Sequence, residues 1–304
     1  MAKKQPSALV QGYAAASASE STRRSYLQDM RHYKAWGGKV PATPEIVAEY
    51  LAAHAQTLAI ATLRHRVVAL HRAHVDRNLE SPVRHVLVKR TFQGICRLQG
   101  VKQRQVDALV MDDIVELLVT ISKQKPLKAA RDKAILLLGF ASACRRSELV
   151  AFRVEDITPH SHGLELMIRR SKTDAVGEGR TVFVPMAHSE ARCPVHALRS
   201  WLELAGIGEG PLFRQVSRHD QIVGADGLTP QSVALVIKAA VTKAKGVDAA
   251  KSFAGHSLRA GFVTAASMAG FQAHTIMGQT GHRTLEMVMR YQRKVNKRQI
   301  PSLL

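Results

Sequence analysis

Five places in the later part of the chain hold polar residues that packing alone does not require. Arg145-Arg146-Ser147-Glu148-Leu149 follows the apolar run 134–140, and Lys172-Thr173 comes straight after Arg169-Arg170-Ser171. His256 and Arg259 are spaced i, i+3 and so share one face at a helix start. His282 follows Gly281, and Tyr291 lies nine residues further on, in the basic stretch MRYQRK. Each has an ordinary alternative. An arginine at a helix end answers the dipole, a tip lysine is solvated, a histidine at a helix start is a cap, and a helical tyrosine is half-buried core. A count sets Tyr291 apart: the other tyrosines, Tyr13, Tyr26, Tyr33 and Tyr50, all lie in the first 50 residues.

Taken together these types make one chemistry. Two arginines can hold the non-bridging oxygens of a phosphodiester through paired N–H donors. Histidines can donate to the same oxygens or move a proton. A lysine can protonate a leaving alkoxide, and a tyrosine can attack phosphorus to give a covalent ester. Arginines supply the charge stabilisation that a metal supplies elsewhere, so neither metal nor cofactor is expected. No phosphate-cradling glycine loop and no H-E-x-x-H accompanies them.

The elements that must position these residues are mostly helices. Apolar spacing predicts helices over 22–36, 46–55, 60–74 and 83–98, with Gly37-Gly38 stopping the first and Pro44 opening the second. The polar, basic stretch 100–108 reads as a linker. Helices resume over 111–122, 127–144 and 147–153. Then the period falls to two: Leu164, Leu166 and Ile168 alternate with Glu165, Met167 and Arg169, and Val182 and Val184 follow a glycine-bearing turn. That is a β-hairpin with a long tip over 171–179. Further helices are predicted over 194–205, 230–245, 257–269 and 284–295. The domains expected are a flexible leader 1–18, an N-terminal helical domain 19–99, the linker 100–108, and a second domain 109–304.

Composition names the partner. Lys and Arg number 44 against 24 Asp and Glu, a formal charge of +20 in 304 residues. Both sides of residue 105 are basic, so the excess is not a tail attached to a neutral enzyme. Such self-repulsion is usually answered by a polyanion, and nucleic acid fits better than acidic lipid. No apolar run nears the ~20 residues of a membrane span, so no membrane is expected. Three cysteines, Cys96, Cys144 and Cys193, without C-x-x-C suit a reducing cytoplasm. On the helix 60–74, Leu63, Val67 and Leu70 form the core stripe, while Arg64, His65 and Arg72 face outwards with Ala61. Arg23 and Arg24 open the helix 22–36. A small, basic outer face suits a major groove, and equally suits solvent.

In this order, R-R-S-E-L (145–149), K-T (172–173), H-x-x-R (256–259), G-H (281–282) and a late tyrosine resemble the tyrosine recombinases of the phage integrase family. H-S-x-R at 256–259, V-M-x-Y-x-R at 288–293 and L-A-x-x-T-L at 58–63 are most similar to its Cre-like members. The resemblance covers nearly all of 19–295. It implies a mainly α, two-domain protein: an N-terminal helical core-binding domain and an α+β catalytic domain with a small antiparallel sheet. It implies a site-specific DNA recombinase that cleaves and religates without metal, through a 3′-phosphotyrosine and a Holliday junction.

By position, Arg145 and Arg259 resemble the phosphate-clamping arginines, Lys172 the general acid and Tyr291 the nucleophile. His256 takes the general-base or phosphate-donor place. His282 takes the second-histidine place, where the Cre-like members carry tryptophan, and Glu148 that of a supporting acid. Two departures stand out. The family's usual glycine-leucine before the first arginine is Ala143-Cys144, and Arg146 replaces a usual apolar residue. Either adjacent arginine can be the clamp, and register favours Arg145. The implied partners are double-stranded DNA with an inverted-repeat target and a homo-tetramer in the synapse, from a monomer when free. The implied place is the prokaryotic cytoplasm, at the nucleoid. A type IB topoisomerase-like relaxing enzyme shares the chemistry. A non-catalytic DNA-binding protein is the other alternative, although every matched position keeps a reactive residue type.

Overall fold

The computed structural model describes residues 7–100, 106–171, 174 and 177–289. Contacts divide the chain into two compact units, Met1–Arg104 and Gln105–Leu304.

In the first unit the stretch expected to be a leader contains a helix, α1 (Ala8–Ala16), whose alanine-rich sequence is capped by the Ser7 hydroxyl. Its Leu9, Val10 and Tyr13 are exposed. Next come α2 (Glu20–Ala35), capped by Ser19, and α3 (Pro44–Ala53), capped by Thr43 with proline in its first turn. α4 (Ile60–Val75) and α5 (Val86–Gln99) complete the unit. Tyr33, Val47, Tyr50, Leu51, Leu63 and Leu70 fill its core. The α4 stripe is as expected, with Val67 only partly buried. Buried Arg66 and His74 on the same helix were not expected. His74 donates from Nδ1 to the Leu70 carbonyl at 2.8 Å and accepts the Ala42 N–H on Nε2 at 2.9 Å, which ties the turn before α3 to α4.

The second unit is built on α7 (Pro126–Ala141), whose Ala134 to Leu138 are all buried. α6 (Met111–Ser122) packs on it. Short α8 (Arg146–Ala151) leads into an antiparallel sheet, β1 (Ile157–His160), β2 (Gly163–Ile168) and β3 (Arg180–Pro185), in that order. The expected hairpin is β2–β3, with Leu164 opposite Val184 and Leu166 opposite Val182, and β1 adds a strand. α9 (Pro194–Ala205) covers α7 and buries Trp201, whose Nε1 donates to the Leu212 carbonyl at 2.7 Å. A second pair, β4 (Arg214–Val216) and β5 (Ile222–Gly227), precedes α10 (Pro230–Lys245) and α11 (Val247–Ser252). α12 (Ser257–Met268) and α13 (Ala273–Thr280) follow, and residues 285–289 are helical. The molecule is therefore mainly helical with small antiparallel sheets. Among the described residues no helix is long and apolar enough to cross a membrane.

α7 stops at Ala141 rather than at 144 because Ala143 takes a left-handed φ of +51°. That turn releases Cys144 and Arg145 from the helix. Where the chain enters this unit, the N–H groups of Asp107 and Leu109 donate to the carbonyls of Ser252 and Ser257 at 2.9 and 3.0 Å. Gly261 allows this approach, since a Cβ there would lie 1.9 Å from the Leu109 carbonyl oxygen. Gly261→Ala is therefore expected to lower stability by about 1–3 kcal/mol, as overpacking against backbone does. An unfolding midpoint equal to that of the unsubstituted chain would contradict the packing.

Candidate active site

The site is built around one carboxylate. Arg145 is the residue before α8, in extended conformation, and Glu148 is the third residue of that helix. Oε2 of Glu148 accepts the Arg145 backbone N–H at 2.9 Å, so the carboxylate starts the helix. Oε1 accepts both Arg145 Nη1 at 2.6 Å and the Ser171 hydroxyl at 2.7 Å. The Ser171 oxygen in turn accepts from Arg145 Nη1 at 2.9 Å. Burial pushes the Glu148 carboxyl up, but the Arg145 N–H, Ser171 and the Arg145 side chain together hold it below the usual value. It is thus an ionised hub that fixes a guanidinium.

Arg259, the third residue of α12, is 3% exposed. Its Nη1 donates to the carbonyls of Ala143 at 2.8 Å and Thr280 at 2.5 Å. The left-handed turn at Ala143 thus presents one carbonyl and the last residue of α13 the other. Thr280 also holds His282: its hydroxyl hydrogen goes to the Ile276 carbonyl at 2.7 Å, so at 3.0 Å it accepts from His282 Nδ1–H. Nε2 is then the basic nitrogen of the neutral ring.

Burial, then the charges of Arg259, Arg145 and Arg180, push the His282 pKa down to about 4. The folded chain takes up this proton at lower pH than the unfolded chain does. Its contribution to stability is therefore complete above pH about 6.5 and is lost as pH falls through about 4. The loss is on the order of 3 kcal/mol. His282→Gln should flatten the fall in unfolding midpoint across that window, and an equal fall in both proteins would refute the assignment.

His256 is exposed immediately before α12. Beside it Arg146 lies across Gly255, where a Cβ would fall 1.8 Å from Arg146 Cδ. Of the two adjacent arginines, Arg145 is the one bonded to Glu148 and Ser171. Lys172 and Tyr291 lie outside the described residues. Between β2 and β3, Asp174 accepts the N–H groups of Gly177, Glu178 and Gly179 at 2.8, 3.2 and 2.9 Å. The buried thiol of Cys144, pushed up to about 11 by burial, stays protonated.

Arg145, Arg259, His282 and Glu148 are thus brought together from α8, α12 and the end of α13. The arrangement offers guanidinium donors and an imidazole to an oxyanion, with a carboxylate behind them. Sequence reasoning missed Ser171, Thr280 and Arg180. The first two act through hydroxyls that no spacing marks. Arg180, at the base of the hairpin, carries only the signal of a cation at a strand end.

In the first unit Arg23, Arg24, Arg64, His65 and Arg72 are all exposed. Arg24 pairs with Glu20 at 2.6 Å, Arg72 with Asp76 at 2.8 Å, and His65 with Asp29. Arg64 lies over the Phe92 ring.

The sequence model of the phage integrase family matches residues 108–298. An integrase/recombinase XerD homolog of Selenomonas ruminantium is 35% identical over 283 residues, covering 90% of this chain and 82% of the relative. Among solved structures, XerH site-specific recombinase in a post-cleavage complex with its palindromic difH substrate superposes with a TM-score of 0.64 at 19% identity, over 92% of this chain and 77% of that one. A lambda integrase tetramer bound to a Holliday junction gives 0.61 at 16% identity, over 92% and 74%.

Proposed function

The chain belongs to the phage integrase family and is a site-specific tyrosine recombinase, which cleaves and rejoins DNA, and from that premise we propose how its residues divide the work. Arg145 and Arg259 hold the non-bridging oxygens of the scissile phosphate. The Tyr291 oxygen bonds to phosphorus as the bond from phosphorus to the 5′ oxygen breaks, leaving a 3′-phosphotyrosine. The tyrosine proton passes to His256, and Lys172 delivers a proton to the departing 5′ oxygen. Rejoining reverses these transfers, with the 5′ hydroxyl of a partner strand as nucleophile, and gives a Holliday junction. No metal or cofactor takes part in this scheme.

One observation carries the reading: Glu148 and the Thr280 carbonyl hold two guanidiniums, Arg145 and Arg259, around the same imidazole. Because His282 Nδ1–H is committed to Thr280, the ring donates to a phosphate oxygen only after Nε2 takes a proton. An arriving phosphate favours that by offsetting the arginine charges that depress the pKa.

The wider reading has double-stranded DNA with an inverted-repeat target as partner, a monomer when free, and a tetramer in the synapse, in the cytoplasm at the nucleoid. Its support is the +20 charge and the tetrameric state of the lambda integrase complex. Arg23, Arg24, Arg64, His65 and Arg72 belong to the DNA-facing surface of the first domain. Exposed ion pairs such as Arg24–Glu20 contribute little, so they exchange readily for phosphate contacts. The Cre-like details at 256–259 and 288–293 sit beside His282, which is nearer the wider family. A topoisomerase-like relaxing enzyme is not favoured, since the 35%-identical relative is an integrase/recombinase.

Tyr291→Phe tests the reading. It is expected to bind target DNA as tightly as the unsubstituted chain and to leave no protein on the strand after denaturation. Adducts persisting in that variant would remove Tyr291 from the mechanism.

A further inference from the structure

Arg180 opens β3 and has no part in the scheme above, yet it reaches the carbonyls that lead into Gly281-His282 and stands near Glu148. Its Nη1 donates to the Gln279 carbonyl at 3.1 Å and to that of Gly278 at 3.5 Å, and its Nη2 to that of Thr280 at 3.4 Å. These are carbonyls that the end of α13 leaves without partners in the helix, and a cation there also meets the negative end of the dipole. Gly281, at φ +65°, lies against the same guanidinium, and a Cβ on it would come within 2.8 Å of Arg180 Nε.

Gln279 makes the opposite reach, donating from Nε2 to the carbonyls of Phe183 in β3 and Ala141 in α7, each at 2.9 Å. The end of α13 is thus bolted to β3 from both sides. Arg180 Nη2 also stands 3.9 Å from Glu148 Oε2 and shares the Thr280 carbonyl with Arg259.

We propose that Arg180 is a positioning residue, whose guanidinium clamps the end of α13 to β3 and so fixes Gly281-His282 against the Arg145–Glu148 pair. The inference rests on the recombinase reading of that site. A planar fork spans successive carbonyls and a carboxylate at once, which an ammonium, as a point charge, does not. The guanidinium also adds to the field on His282, after burial, Arg259 and Arg145.

The test uses the full chain with R180Q and R180K. It follows DNA affinity by gel shift, covalent-adduct formation in a single turnover against pH, and the His282 ring titration by NMR, assigned with His282→Gln. R180Q is expected to bind DNA normally and to form adduct about a hundredfold more slowly, the usual cost of a misplaced group. Its His282 should titrate somewhat above about 4, because the Arg180 charge acts on the ring only after burial, Arg259 and Arg145. R180K, keeping the charge without the fork, should hold the titration near its present value and remain at least about tenfold slow.

Normal rates in R180Q, a loss that follows DNA affinity alone, or full rescue by lysine would each overturn the proposal. Should R180Q fail to fold, R180K decides by rate and titration. A native chain that forms no adduct would count against the recombinase reading instead, and the titration, which needs no DNA, would still judge Arg180.

Discussion

Lys172→Ala is expected to lose cleavage of ordinary DNA by about 10²–10⁴-fold, the usual contribution of a positioned general acid. Strand cleavage expels the 5′ oxygen of deoxyribose, and an alkoxide does not leave readily at neutral pH without a proton. Replacing that bridging oxygen by sulfur makes the leaving group a thiol with a pKa near ~8.5, which needs little help. On the sulfur substrate Lys172→Ala should therefore regain most of its rate. In sequence Lys172 falls between β2 and β3, whose pairs Leu164–Val184 and Leu166–Val182 fix the register, and Asp174 accepts the N–H groups of Gly177 and Gly179 ahead of β3. A variant that binds the sulfur substrate yet stays inactive on it would make Lys172 a phosphate contact and shift the proton donor to His256.

Arg145→Ala should be as damaging on both substrates. Its guanidinium stabilises charge on the phosphorus oxygens, and one such donor is worth about 10²–10³ in rate whatever the leaving group. The structure adds a second cost. Removing the guanidinium takes from Glu148, only 3% exposed, its nearer ionic partner, leaving Arg180 at 3.9 Å, Ser171 and the Arg145 backbone N–H to face the carboxylate. Arg146→Ala should be milder, because that side chain lies over Gly255 rather than on Glu148. Sulfur rescue of Arg145→Ala, or a larger defect in Arg146→Ala, would reverse the order of these two residues.

Residues that organise their own segment were legible in the sequence. Gly37-Gly38 announces the end of α2, Thr43 and Pro44 announce α3, and period-two alternation announces β2 and β3. The R-R-S-E-L, H-x-x-R and G-H clusters likewise pointed to one site. Elements held by distant contacts were not legible. α13, AHTIMGQT, has glycine and two threonines and little intrinsic helix preference, and its end is fastened by Arg180 and Gln279 to β3. β4–β5 are short and mostly exposed on β5, so they show little alternation. Arg66 carries no signal in the sequence of its burial; the fold sets its Nη1 2.7 Å from His32 and 3.0 Å from the Tyr50 hydroxyl. Ala143 shows both sides. Its departure from the family's glycine was visible, but only the left-handed φ shows why glycine is usual there: a side chain in that conformation costs roughly 1 kcal/mol.

The manner in which the chain enters its second unit bears on how that unit can be cut out of the gene. Residues 106–110 belong to no helix or strand, so trimming by secondary structure would discard them and begin at α6. A fragment begun at Leu109 turns a bonded amide into a charged ammonium and loses Asp107, and with it the bond to Ser252. Beginning at α6 goes further and strips the backbone that Gly261 was shaped to receive, baring the face of α12 two residues from Arg259. Gln105 is the practical first codon: it keeps both bonds and falls where the two units part.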